Sequence, residues 1–150
     1  MKTQIMLIAF SVIILASCSN SSGQNDKTNE TVNKVNEPAA CYEYSKDSNK
    51  VIMHITITDN IVTGDLMYAY FEKDKNTGTM KGEMKGDTLF ADYSFISEGI
   101  TSVREVAFLK KGNEWVEGYG EAEEQAGKVV FKNKAALAFD SNMALKKCSQ

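Results

Sequence analysis

From Cys41 almost to the end of the chain, apolar and polar residues alternate with a period of two. The first clear run lies in residues 51–58, whose apolar face holds Val51, Met53, Ile55 and Ile57. Successive side chains of a strand point to opposite faces, so this alternation and the β-branched content predict β-strands. The pattern therefore constrains the fold to sheets that bury one face.

Turn signals such as Asp59-Asn60 and Gly86-Asp87 interrupt the alternation, so strands recur roughly every 10–13 residues. The predicted strands are Val51–Thr58, Ile61–Glu72, Thr79–Lys85, Thr88–Ser97, Thr101–Lys110, Glu114–Ala122, Lys128–Lys132 and Met143–Lys147, while the state of residues 133–142 stays open. We predict an all-β fold over residues 41–148, an antiparallel meander of about eight strands in a small closed or nearly closed barrel. Residues 149–150 form a tail.

The N-terminal segment has the features of an export signal. Lys2 provides a positive charge, and Ile5–Leu15 forms an apolar run that is short for a membrane span. The run ends in Leu15-Ala16-Ser17-Cys18, which resembles the bacterial lipobox, an aliphatic residue and two small residues before a cysteine. Residues 1–17 are thus predicted to be a lipoprotein signal peptide.

The lipobox resemblance implies that Cys18 becomes the lipidated first residue and anchors the chain in a membrane through acyl chains such as palmitate. Residue 19 is serine rather than aspartate, which by resemblance to Gram-negative sorting favours the outer membrane over the inner. Residues 18–40 are rich in Ser, Asn and Thr and lack aromatic residues, so we interpret them as a flexible tether.

Charge and composition exclude several function classes. The chain has a net charge of −3, and removal of residues 1–17 takes away only the charge of Lys2, so the mature charge is −4. Because nucleic-acid binding requires a basic face, this negative charge argues against a nucleic-acid partner. His54 is the only histidine, and the Asp74–Gly78 segment lacks the closing glutamate of a calcium loop. No enzyme, cofactor or metal site is predicted.

Cys41 and Cys148 flank the region of predicted strands. In an oxidising compartment they are expected to form a disulfide that places the first and last strands side by side. Such a bond would close a loop of about 100 residues and contribute roughly 4–5 kcal/mol on the chain-entropy model. Two free thiols or a metal-binding pair are the alternatives.

With a lipobox, a polar tether and β-hairpins flanked by two cysteines, the chain resembles small outer-membrane lipoproteins of Bacteroidota-type bacteria. Its strand number and hairpin order are similar to calycin-like barrels, the lipocalins and avidins. The resemblance implies a barrel shape but no ligand, because the Gly-x-Trp signature of lipocalins is absent and Trp115 is the only tryptophan.

Arg104, the only arginine, lies in the middle of a predicted strand and alternates with Ser102, Val106 and Phe108. An inward guanidinium would bind a carboxylate or phosphate through its planar set of donors. The alternative is a structural ion pair with Glu98 or another acid.

Aromatic residues on the predicted strands line either a ligand cup or an ordinary core. The candidate ligand-binding residues are Arg104, Tyr68, Tyr93, Glu98 and Trp115. We expect a membrane-anchored, non-enzymatic binding module for a small molecule or an envelope protein. The alternative is a structural or protein-interaction lipoprotein with a filled core and no ligand cavity.

Overall fold

The computed structural model describes residues 39–149, whose strands belong to one mostly antiparallel sheet. The strands are β1 (Ala40–Lys46), β2 (Asn49–Thr58), β3 (Ile61–Ala69), β4 (Asn76–Lys85), β5 (Thr88–Ser97), β6 (Ile100–Lys111), β7 (Glu114–Tyr119), β8 (Ala122–Gln125), β9 (Lys128–Phe131), β10 (Ala138–Phe139) and β11 (Lys146–Lys147). The predicted all-β fold class is confirmed. The predicted signal segment, Cys18 and the tether up to residue 38 lie outside the described residues.

Strands β1 to β7 follow one another across the sheet as antiparallel neighbours. Their alternation matches the sequence pattern, since Val51, Met53 and Ile55 of β2 are buried while His54 between them is exposed. The apolar faces meet in one core, whose largest fully buried side chains include Trp115, Tyr93, Phe108, Met53 and Leu66. Around these core residues, side chains therefore fill the interior of the sheet.

The two edges of the sheet, β1 and β7, are not joined by a continuous ladder of backbone hydrogen bonds, so the sheet is not a closed barrel. Strand β10 pairs with β7, and β11 pairs with β1. Between these two pairings, Trp115 and Leu145 form an isolated bridge with backbone N–H···O distances of 3.0 and 2.8 Å. The 3-10 helix Ser141–Met143 interrupts the C-terminal segment, which prevents one unbroken strand from closing the gap.

The predicted strand Glu114–Ala122 is in fact two strands, because β7 ends at Tyr119 and β8 begins at Ala122. Strands β8 and β9 form a hairpin whose turn residues Ala126 and Gly127 both have positive φ. Strand β9 then lies parallel to β6, with Val129 opposite Arg104. This parallel contact is the exception in a sheet whose other strand pairs are antiparallel, as predicted.

Other strand boundaries also differ from the predictions. Strand β3 ends at Ala69 instead of Glu72, because residues 70–75 form a loop in which Glu72 has a φ of 55°. The backbone N–H of Phe71 donates to Oδ1 of Asn49 at 2.9 Å, which attaches this loop to the start of β2. Of the predicted strand Met143–Lys147, only the last two residues are in β11.

The predicted disulfide between Cys41 and Cys148 is confirmed, with their Cα atoms 5.4 Å apart. The backbone N–H of Cys148 also donates to the carbonyl oxygen of Cys41 at 2.9 Å. The disulfide and this hydrogen bond therefore extend the pairing of β11 with β1. No helix within residues 39–149 combines the length and the apolar character that crossing a membrane requires.

Candidate functional site

Inward side chains at one end of the sheet form a group of aromatic and charged residues. This is the end at which β3, β5 and β7 finish. Arg104 of β6 lies directly opposite Tyr93 of β5, and the rings of Tyr93 and Tyr68 are 5.7 Å apart. We refer to the group as the arginine cluster, which consists of Tyr68, Tyr70, Tyr93, Phe95, Arg104, Glu117 and Tyr119.

The Arg104 guanidinium lies over aromatic rings. Its central carbon is 4.9 Å from the ring centroid of Tyr68, 5.6 Å from that of Tyr93 and 5.9 Å from that of Phe95. The rings of Tyr93 and Phe95 are themselves stacked, with centroids 4.8 Å apart and planes inclined by 14°. Cation–π contact with several rings holds the guanidinium while leaving its hydrogen-bond donors uncommitted.

The Nε atom of Arg104 is buried and has no hydrogen-bond partner. Among the ion pairs formed within residues 39–149, none involves Arg104. The predicted alternative, an ion pair of Arg104 with Glu98 or another acid, is not among them, and Glu98 is exposed in the turn between β5 and β6. A buried donor without a partner is costly, so this nitrogen is an unsatisfied group of the cluster.

Glu117 of β7 is the buried acid of the cluster, with 7% of its surface exposed. The hydroxyl of Tyr68 donates to its Oε1 at 2.6 Å, and the hydroxyl of Tyr119 donates to its Oε2 at 2.9 Å. Burial raises the pKa of Glu117, whereas the bond from Tyr68, the charge of Arg104 and the bond from Tyr119 lower it. Both carboxylate oxygens are thus held in place by tyrosines.

Sequence reasoning missed Glu117, although a signal was present. Trp115, Glu117 and Tyr119 alternate along β7, so an inward Trp115 implies an inward Glu117. An acidic side chain at an inward position of a strand is unusual unless it is paired. Acidic residues are numerous in the chain, however, and nothing in the spacing connects Glu117 to Tyr68, 49 positions earlier.

The tyrosines of the cluster remain protonated at neutral pH. Burial raises the pKa of Tyr93 to about 12, and burial together with the charge of Glu117 raises that of Tyr70 to about 12. The pKa values of Tyr68 and Tyr119 are raised by the same two causes, while Arg104 lowers all four. The cluster therefore presents neutral hydroxyl groups, one cation and one acid.

Two further buried polar atoms near the cluster also have no hydrogen-bond partner. These are the hydroxyl oxygen of Tyr93 and the Oδ1 atom of Asn76. Asn76 lies directly opposite Tyr68 in the β3–β4 ladder and therefore shares its inward face. Together with Nε of Arg104, they are unsatisfied groups on neighbouring strands.

Of the five predicted site residues, the structure brings together Arg104, Tyr68 and Tyr93. Trp115 lies in the core instead, where its ring meets that of Tyr42 edge-on at 6.1 Å. Its Nε1 atom is buried without a partner. Glu98 is on the surface, outside the cluster.

Two surface cavities lie away from the arginine cluster. One of about 570 Å³ lies beside the end of β1 and the C-terminal segment, where Lys46, Glu114 and Asn142 contribute to its walls. Another of about 200 Å³ lies on the outer face of β2 and β3, next to His54 and Asp65. Within residues 39–149, no three His, Cys, Asp or Glu side chains are grouped in a way that could hold a metal ion.

The chemistry of the arginine cluster suits the binding of an anion. Arg104 supplies positive charge and an unused donor, Tyr93 supplies a hydroxyl, and partly buried Phe95 offers a ring face. A guanidinium edge matches the geometry of a carboxylate or phosphate. Comparison of the chain with protein-family models, curated proteins and solved structures gave no match.

Proposed function

We propose that the chain is a membrane-anchored lipoprotein whose β domain is a non-enzymatic binding module for a small anionic molecule at the cell envelope. The observation that carries this proposal is the buried, unpartnered Nε of Arg104, the only arginine of the chain. A ligand carboxylate or phosphate would satisfy this donor and replace the ion pair that a structural arginine would otherwise form.

The ligand would reach Arg104 from the end of the sheet where β3, β5 and β7 finish. Core residues fill the sheet below Arg104, as Val106 and Phe108 on the same face of β6 are fully buried. In contrast, Phe95, Tyr70 and Arg104 are only partly buried, and Tyr119 is exposed. The proposed site therefore lies at this end of the sheet and does not extend along the interior.

The binding proposal can be tested on a single nuclear magnetic resonance signal. The full chain, solubilised in a neutral detergent and labelled isotopically at arginine Nε, has one such resonance because Arg104 is the only arginine. Titration with small carboxylates and inorganic phosphate is expected to shift this resonance in a saturable way. If none of these anions shifts the resonance, the binding proposal is wrong.

The anchoring proposal rests on the lipobox at Leu15-Ala16-Ser17-Cys18. Cells that express the chain would be fed a fatty acid with a clickable group, and the purified protein would be examined for the label. We expect labelled protein in the membrane fraction and an unlabelled product for Cys18→Ala. Equal labelling of the two proteins would contradict lipidation at Cys18.

A second candidate function, protein interaction through the outer surface, is favoured by exposed apolar side chains. Phe71, Ile96 and Ile100 are each more than 60% exposed, on the β3–β4 loop, on β5 and at the start of β6. Ile96 and Ile100 flank the β5–β6 turn, and exposed apolar side chains that lie close together on a surface mark interaction sites. A photocrosslinker at Ile100 should then yield one adduct of defined size in cells, and the same group at exposed Thr79 should not.

A further inference from the structure

Resting on the proposed function of anion binding at Arg104, we propose that the ligand is a flat monocarboxylate, an aromatic acid in chemical class. Phosphate and dicarboxylates are then poor ligands of the same site. The proposal combines the charges, the ring geometry and the unsatisfied donors of the arginine cluster, each of which restricts the ligand in a different way.

The charges of the cluster favour a ligand with a single negative charge. Arg104 is the cation of the cluster and Glu117 its buried acid, and Tyr68 contacts both, since its ring lies under the guanidinium and its hydroxyl donates to Glu117. Glu117 is fixed by Tyr68 and Tyr119 and so cannot turn away from a bound ligand. A second negative charge on the ligand would therefore lie near a buried carboxylate, where the low dielectric constant strengthens repulsion.

The arrangement of rings favours a flat ligand body. The rings of Tyr93 and Phe95 are nearly parallel and stacked, and the Arg104 guanidinium lies over both of them. Tyr93 is fully buried, whereas Phe95 at the end of the stack is partly accessible. A carboxylate at the guanidinium edge would thus place its attached ring against the partly exposed Phe95 and extend the stack by one ring.

The unsatisfied donors fit the two oxygens of one carboxylate. Nε of Arg104 and the hydroxyl of Tyr93 are both buried without partners, and these two residues lie directly opposite each other in the β5–β6 ladder. A carboxylate that accepts from both would remove the two unsatisfied groups at once. A neutral ligand of the same shape would gain no charge–charge attraction from Arg104.

The experiment uses the full chain in neutral detergent and the Arg104 Nε resonance, with benzoate as the flat monocarboxylate. Acetate lacks the ring, and phthalate carries a second negative charge. Inorganic phosphate replaces the carboxylate by another anion, and benzamide keeps the ring but has no charge. We expect benzoate to bind with a dissociation constant at least about tenfold lower than each of the others, a difference of ~1.4 kcal/mol. The indole resonance of Trp115, the only tryptophan, reports whether the fold stays intact.

Two variants separate the contributions of ring and charge. Phe95→Leu should reduce the preference for benzoate over acetate, while the matched change Phe71→Leu, on an exposed loop, should leave it unaltered. Glu117→Gln removes the buried negative charge and should reduce the difference between the dissociation constants of phthalate and benzoate.

The outcomes distinguish the two proposals. If acetate, phthalate or phosphate binds as tightly as benzoate, the flat monocarboxylate is refuted while anion binding at Arg104 stands. Unchanged preferences in both Phe95→Leu and Glu117→Gln would also refute it. If no compound moves the Arg104 resonance while the Trp115 signal shows a folded protein, the binding function itself is overturned.

Discussion

At the level of single residues, the hydrogen bond from Tyr68 to Glu117 connects β3 with β7 across the interior. Tyr68→Phe keeps the ring but leaves one oxygen of a buried carboxylate without its donor, so the free energy of unfolding should fall by about 1–3 kcal/mol. Urea unfolding followed by circular dichroism would measure the loss. Tyr119→Phe is the matched control and should cost less than about 1 kcal/mol, because water reaches the exposed Tyr119 and replaces its hydroxyl. Equal losses would contradict this account.

The buried Glu117 also predicts how stability depends on pH. Its pKa is raised above 4.5 in the folded state, so the folded protein binds this proton more tightly than the unfolded chain does. The contribution of Glu117 to the free energy of unfolding therefore falls as pH rises from about 4.5 to the raised pKa. Above the raised pKa, the full cost of burying the ionised carboxylate is present.

The measurement compares the free energy of unfolding of the wild type and Glu117→Gln from about pH 4 to about pH 8. The wild type should lose stability relative to the variant as pH rises through this range. Exposed Glu83→Gln serves as the control and should follow the wild-type curve. Parallel curves for wild type and Glu117→Gln would show that the acid titrates alike in both states.

At the level of strands, β4 approaches β5 so closely that Gly82 has no room for a side chain. An added Cβ atom would meet Cα of Ala91 at 2.5 Å and its Cβ at 2.6 Å, and it would also contact the carbonyl oxygen of Phe90. Gly82→Ala should therefore lower the free energy of unfolding by about 1–3 kcal/mol, the usual cost of overpacking. Thr79→Ala, exposed on the same strand, should stay within about 0.5 kcal/mol. Equal values would mean that the strands separate without cost.

How well a strand could be predicted depended on how much of its signal is local. Strands β5 and β6 agree with the predictions to within a residue at each end, because strong alternation and glycine turns define them. The split between β7 and β8 was missed, since it depends on β9 pairing with β6 instead. Likewise, alternation placed Arg104, Tyr68 and Tyr93 inward, but the distances between strands that bring Glu117 to them depend on the whole sheet.

At the level of the whole molecule, the sheet leaves a gap that the C-terminal segment only partly bridges. Residues 138–147, which form this segment, are connected to β7 by the two-residue strand β10 and by two backbone hydrogen bonds between Trp115 and Leu145, and to β1 by the two-residue strand β11. Leu145 is fully buried and belongs to the core, so the segment also seals apolar surface. Because so few backbone bonds secure it, its covalent link to β1 should contribute strongly to stability.

Removal of the disulfide tests this expectation. Cys41 and Cys148 are 107 positions apart, so the bond restricts the unfolded chain over nearly the entire domain. The chain-entropy model gives a loss of about 4–5 kcal/mol in the free energy of unfolding for Cys148→Ser, measured by urea unfolding. Reductant should destabilise the wild type to a similar extent and leave Cys148→Ser unchanged. If the variant loses less than about 1 kcal/mol, the β11 pairing and the burial of Leu145 hold the segment by themselves. The disulfide would then help to attach the C-terminal segment to β1 but would not be required for this attachment.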